Sequence, residues 1–145
     1  MRLALLAVSC LAVLSAPAFA QSEEDVMAQI EALHGNSEAF GEAFAAMQDA
    51  FLFDTPTAIA DLAAYPLQVA ANGELYDILE PADLVDNFDA LLTEDTLAAL
   101  ASQDFAALIV TSDGVGFGDG VLWFANVCAD DACSSSDWRI TRINN

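Results

Sequence analysis

The chain reads as an α+β protein, and three features of its sequence predict this. Phe40, Phe44, Met47 and Phe51 fall at i, i+4, i+7 and i+11, a single apolar stripe of the kind a helix turns toward a core. "PLQVAANGELYDIL" places apolar residues on both sides of Asn72-Gly73, a pair suited to a type I′ hairpin turn because both central positions need positive φ. From Phe105 onward the texture changes to short strands: "FAALIVT", "GVGFG", "VLWFANVC" and "WRITRIN". Helices segregated from an antiparallel sheet define the α+β class.

Before the first helix stands a leader. Arg2 gives a positive start, and residues 3–14 form an apolar run shorter than the ~20 residues needed to span a bilayer. Ala18-Phe19-Ala20 fits a small-x-small cleavage site, so residues 1–20 are expected to be a signal peptide, with Gln21 the mature N-terminus. Residues 21–145 are the length of one domain.

Ser22 is placed to cap a first helix, with Glu23, Glu24 and Asp25 at the positive end of its dipole. Val26, Ile30 and Leu33 follow at helical spacing, and His34-Gly35-Asn36 ends the helix. His34, with no base or nucleophile near it in sequence, reads as structural. The stripe from Phe40 to Phe51 is a second helix. Thr55-Pro56 opens a third, carrying Ile59, Leu62 and Ala63 and ending around Tyr65-Pro66.

The Asn72-Gly73 turn sets Ala71 opposite Glu74, Val69 opposite Tyr76 and Leu67 opposite Ile78. Leu67, Val69, Tyr76 and Ile78 then share the core face, and Asp77 points away from it. Glu80-Pro81 starts another helix with Leu84, Val85, Phe88, Leu91 and Leu92 on its apolar side. Thr93 caps a last helix with Leu97 and Leu100 inward. On residues 121–127, Val121, Trp123 and Ala125 share one face, and Leu122, Phe124 and Asn126 the other. The glycines at 114, 116, 118 and 120 mark bends or turns. No lysine or helix follows them, so they do not make a phosphate loop. Asp113 and Asp119 are too few for calcium, which takes six to eight oxygens.

The chain carries 23 acids against three basic residues, a formal net charge of −20, and has no lysine. Loss of the leader leaves Arg139 and Arg142 as the only cations, at a net charge of −21. Duplex nucleic acid and anionic membrane surfaces are excluded as partners, because both bind through Lys/Arg neutralising phosphate. No stable membrane anchor is expected. On an extended strand, Arg139 and Arg142 would point to opposite faces and salt-bridge to local acids rather than clamp one anion.

Export implies an oxidising compartment, periplasmic or extracellular. Cys128 and Cys133 flank Ala129-Asp130-Asp131-Ala132, a turn across which they can join as a disulfide. Zinc would need four ligands, and the only histidine is distant in sequence, so neither a metal nor another cofactor is expected.

The order of these segments resembles the NTF2-like, or SnoaL-like, superfamily, and is similar above all to small exported bacterial members without assigned activity. The resemblance rests on "AYPLQVAANGELYDI", "LVDNFDALLTEDTLAALASQD", "GVGFGDGVLWF" and the closing "WRITRIN". It implies a bent sheet wrapped around helices as a cone, with residues 21–36 an extra helix added to it. It also implies a pocket lined by Tyr65, Tyr76, Phe88 and Trp123, and a homodimer formed through the sheet. The fold does not transfer a reaction. No paired base and nucleophile is visible, so the expected role is non-catalytic: binding a small molecule or a protein partner in or on the cone. An isomerase, dehydratase or hydrolase would need a carboxylate in an apolar pocket, for which Asp86, Asp113 and Asp119 are candidates by elimination. An assembly subunit would use the sheet face.

Overall fold

A computed structural model describes residues 21–145; the expected leader and its cleavage point lie outside the described residues. Helix α1 (Glu23–His34) starts on a reciprocal cap: Ser22 Oγ accepts from the Asp25 amide, and the Asp25 carboxylate accepts from the Ser22 amide at 3.1 Å. The chain turns at Gly35 into α2 (Ser37–Leu52), whose whole expected stripe is buried. Helix α3 (Pro56–Asp61) follows, with proline in its first turn.

Here the structure corrects the sequence reading. Helix α3 ends at Asp61, and strand β1 (Ala63–Ala71) takes up Ala63, Tyr65 and Pro66. The Leu62 carbonyl accepts from the Ile140 amide at 2.9 Å, a partner 78 residues away that local periodicity cannot reveal. Strand β2 (Glu74–Ile78) pairs with β1 in the expected register, Leu67 opposite Ile78, Val69 opposite Tyr76 and Ala71 opposite Glu74. The single helix expected after Glu80 is two, α4 (Pro81–Asp86) and α5 (Phe88–Leu91). Asn87 breaks it: its backbone leaves the helical region, and its amide nitrogen donates to the Asp83 carbonyl at 2.8 Å. Thr93 caps α6 (Glu94–Ala101) by accepting from the Thr96 amide.

Four strands complete the sheet: β3 (Ile109–Thr111), β4 (Gly114–Phe117), β5 (Leu122–Cys128) and β6 (Ser136–Asn144). The order is β2-β1-β6-β5-β4-β3, so β2 and β3 are edges and the sheet is not closed. It is mixed rather than purely antiparallel, because β6 runs parallel to β1 while every other neighbouring pair is antiparallel. Cys128 and Cys133 are bonded across the β5–β6 turn.

The core lies between the inner sheet face and the helices. Phe40 is its centre, fully buried, with ring centroids 4.9 Å from Trp138, 5.8 Å from Phe105 and 6.2 Å from Phe117. Met47, Ile59, Leu84, Leu100 and Phe124 are equally buried, so the space between the layers is filled by side chains. Helix α1 adds Val26 and Ile30, both at 0% exposure, while Leu33 is 53% exposed, against the expected stripe. His34 Nε2 donates to the Thr111 carbonyl at 2.7 Å, and its ring stands edge-on to Trp138, tying α1 to β3 and β6. That is the structural role expected of it.

Candidate functional site

A bulge changes one expectation about the cations. In the β5–β6 ladder Phe124 faces Ile140 and Trp123 faces Arg142, so Thr141 has no opposite number. One extra residue resets the alternation. Ile140 and Ile143 are both buried, and Arg139 and Arg142 leave the same, outer face of the sheet instead of opposite faces. Arg139 is engaged as expected, donating to the Asp61 carbonyl and pairing with Asp137 at 3.2 Å. Arg142 lies over the Trp123 ring, with Cζ 5.1 Å from its centroid.

The four residues expected to line one pocket are not brought together. Trp123 sits on the outer face, and its indole nitrogen donates to the Gly120 carbonyl at 3.0 Å. Tyr65, half-buried beside α3, donates its hydroxyl to the Ala60 carbonyl at 2.9 Å. Burial, with help from nearby Asp61, pushes its phenol above the usual tyrosine range. Phe88 is a buried core residue of α5. Tyr76 alone combines partial exposure with a concave setting. Its hydroxyl donates to Glu74 Oε2 at 3.0 Å, and that bond, with the adjacent charge, raises its pKa.

The concave setting is a cleft of about 300 Å³ between the β1–β2 hairpin and α4–α5, lined by Asn72, Tyr76, Ile78, Asn87, Ala90 and Leu91. Each element has a reason to be there. The Asn72-Gly73 turn brings the Asn72 amide within 3.1 Å of the Ala90 carbonyl, latching hairpin to helix. The period-2 register turns Tyr76 and Ile78 inward on β2. The break at Asn87 separates α5 from α4, and Ala90 and Leu91 of α5 form the far wall. A neighbouring depression, lined by Pro56, Phe88 and residues around Asn87, brings Phe88 next to the same site. Sequence reasoning missed Asn72 as a lining residue by reading it only as a turn former, and missed Asn87 altogether. A poor helix former in the middle of an apolar helical run was the available signal.

Asp86, Asp113 and Asp119 are all exposed. Among the described residues Thr96 is the only polar or charged residue buried as a whole, so none of the three places a carboxylate in an apolar pocket. Nor, among those residues, do three His, Cys, Asp or Glu side chains gather as a metal site. No described helix is long and apolar enough to cross a membrane. The disulfide fits a protein of the periplasm or the cell exterior. No family model matches the chain, and no curated protein or solved structure matches it either.

Proposed function

We propose that the chain is an exported, NTF2-like binding protein without catalytic activity, and that its ligand lies on the cone, in the cleft between the hairpin and α4–α5. The observation that carries this reading is the division of labour in the molecule. The interior is packed with apolar side chains and holds no ionisable group among the described residues, while the hairpin cleft combines an apolar floor, Ile78 and Leu91, with the polar tips of Asn72, Tyr76 and Asn87. A few convergent polar groups over an apolar lining are what a small-molecule site requires. The mixed sheet with helices on one face, and the bulges that bend it, support the family resemblance.

Two measurements test this. N-terminal sequencing of the exported protein should begin at Gln21; an intact leader on the exported chain contradicts the export half. Native mass spectrometry of protein taken from its own compartment should show a retained small molecule that is lost in Tyr76→Ala. Retention of the same mass by that variant contradicts the cleft.

A second reading, a homodimer formed through the sheet, is favoured by the outer face. There Leu75 on edge strand β2 is 63% exposed and Ile109 on the opposite edge strand β3 38%, with the Arg142–Trp123 pair on the strands between them. Light scattering across concentration tests it; a strict monomer removes it.

A further inference from the structure

Resting on the reading of the hairpin cleft as the binding site, we propose that its ligand is an organic ammonium ion with a short apolar body. Tyr76 gives its only proton to Glu74, so its oxygen remains as an acceptor. Asn72 and Asn87 are each anchored through the amide nitrogen, to the Ala90 and Asp83 carbonyls at 3.1 and 2.8 Å. Each amide keeps one further N–H and a carbonyl oxygen with two lone pairs, so with the Tyr76 oxygen the acceptor sites outnumber the free donors. Three acceptors around an apolar floor call for a donor-rich ligand.

The charges around the cleft agree. Glu74 stands at Tyr76, and Asp83, Asp86 and Asp89 flank Asn87 on α4 and α5, with Glu80 just before them. The described cations Arg139 and Arg142 lie on the outer sheet face, Arg139 with its Asp137 partner and Arg142 over Trp123. An anion would enter against this field with no charged donor to receive it. A cation is drawn in, and the Tyr76 ring offers it a face. The apolar body follows from Ile78, Ala90 and Leu91, and a cleft of about 300 Å³ limits it to a small chain. A free alkylamine and the side chain of a lysine share this chemistry.

The test is an NMR titration of the ¹⁵N-labelled protein in about 0.1 M NaCl, where diffuse attraction to an acidic surface is screened beyond about 10 Å. Probes are hexylammonium, Nα-acetyl-lysine methylamide, hexanoate and hexanol. Hexylammonium should saturably move the side-chain amide signals of Asn72 and Asn87, while hexanoate leaves them still. Tyr76→Leu should weaken binding about three- to tenfold. Ala90→Trp, at an exposed position that fills the cleft, should abolish it. Equal binding of the lysine derivative identifies a protein lysine as a source, and binding of the free amine alone identifies a metabolite. If hexanol or hexanoate binds as well as the amine, the ammonium assignment is overturned and the cleft stands. If the amine shifts signals all over the acidic surface and Ala90→Trp changes nothing, it is only a counter-ion and the assignment fails. If no probe moves the Asn72 and Asn87 signals, both the assignment and the cleft reading fall.

Discussion

Gly114 shows how much one missing side chain can decide. A Cβ built there would lie 2.1 Å from the Phe124 carbonyl oxygen, at a backbone φ of +144°. Neither the β4–β5 ladder nor the backbone can absorb that. Gly114→Ala should cost about 3 kcal/mol or more, read as a lower urea midpoint at unchanged slope. Asn126 presents the opposite case. Its Oδ1 is buried without a partner, and its nitrogen reaches the His34 carbonyl only at 3.5 Å. An unmet buried acceptor costs about 1–3 kcal/mol, and valine suits the strand, so Asn126→Val should raise the thermal midpoint. A fall would mean that an ordered water already satisfies Oδ1. Asp25 gives a pH signature. Its bonds to the Ser22 hydroxyl and amide hold its carboxyl below the usual aspartate range. A depressed carboxylate contributes at pH values above its unfolded pKa of about 4, and that contribution is lost as pH falls through the lower folded value. The Ser22 amide resonance should therefore shift below about pH 4, and should not shift in Asp25→Asn. The Ser22 cap, the Asn72-Gly73 turn and the cysteine pair were legible because each is a local instruction. The orphan at Asn126 was not, because it depends on His34, 92 residues away.

At the level of elements, helix propensity and tertiary pairing compete, and the sequence shows only the first. The α2 stripe and the hairpin register came through intact because a short period of 3.6 or 2 determines them. The α3–β1 boundary and the faces of Arg139 and Arg142 were misread, because β6 sets the first and a single bulge residue, Thr141, the second. The cleft was half legible for the same reason. The turn placed Tyr76 on the core face, its place in a pocket was implied by the family resemblance alone, and the far wall exists only because Asn87 breaks a helix. Helix α1 buries Val26 and Ile30 and is otherwise tied through His34 to β3 and β6, a short list for 12 residues. Ile30→Ala should cost about 2–4 kcal/mol, with hydrogen exchange rising first across α1; uniform exchange across the sheet would show that α1 is not a separate unit. The Cys128–Cys133 bond closes a loop of a few residues, for which the chain-entropy model gives about 2 kcal/mol. The double serine variant should therefore stay folded with a lower midpoint.

The whole molecule is governed by its charge. Twenty-three acids face two arginines across residues 21–145, and among these residues the Arg139–Asp137 bridge is the one salt bridge. Helix placement offsets part of the repulsion: Glu23, Glu24 and Asp25 in α1, Glu38 in α2, and Glu94 and Asp95 in α6 all sit in first turns, at the positive ends of helix dipoles. Nearly all of the remainder is exposed and acts over long range, so the folded state carries a self-repulsion that the expanded chain relieves. Salt should therefore stabilise this protein. Raising NaCl from about 0.01 M to 1 M shortens the screening length from about 30 Å to about 3 Å, which removes repulsion between carboxylates on different elements and weakens only one ion pair in return. The thermal midpoint should climb steadily over that range, and potassium chloride should match sodium chloride, since screening depends on ionic strength rather than on the cation. A midpoint that falls with salt would mean that helix-dipole and capping interactions outweigh the mutual repulsion of the carboxylates. A sharp rise with a divalent cation at low concentration, unmatched by NaCl of equal ionic strength, would point to a bound ion instead of a screened surface.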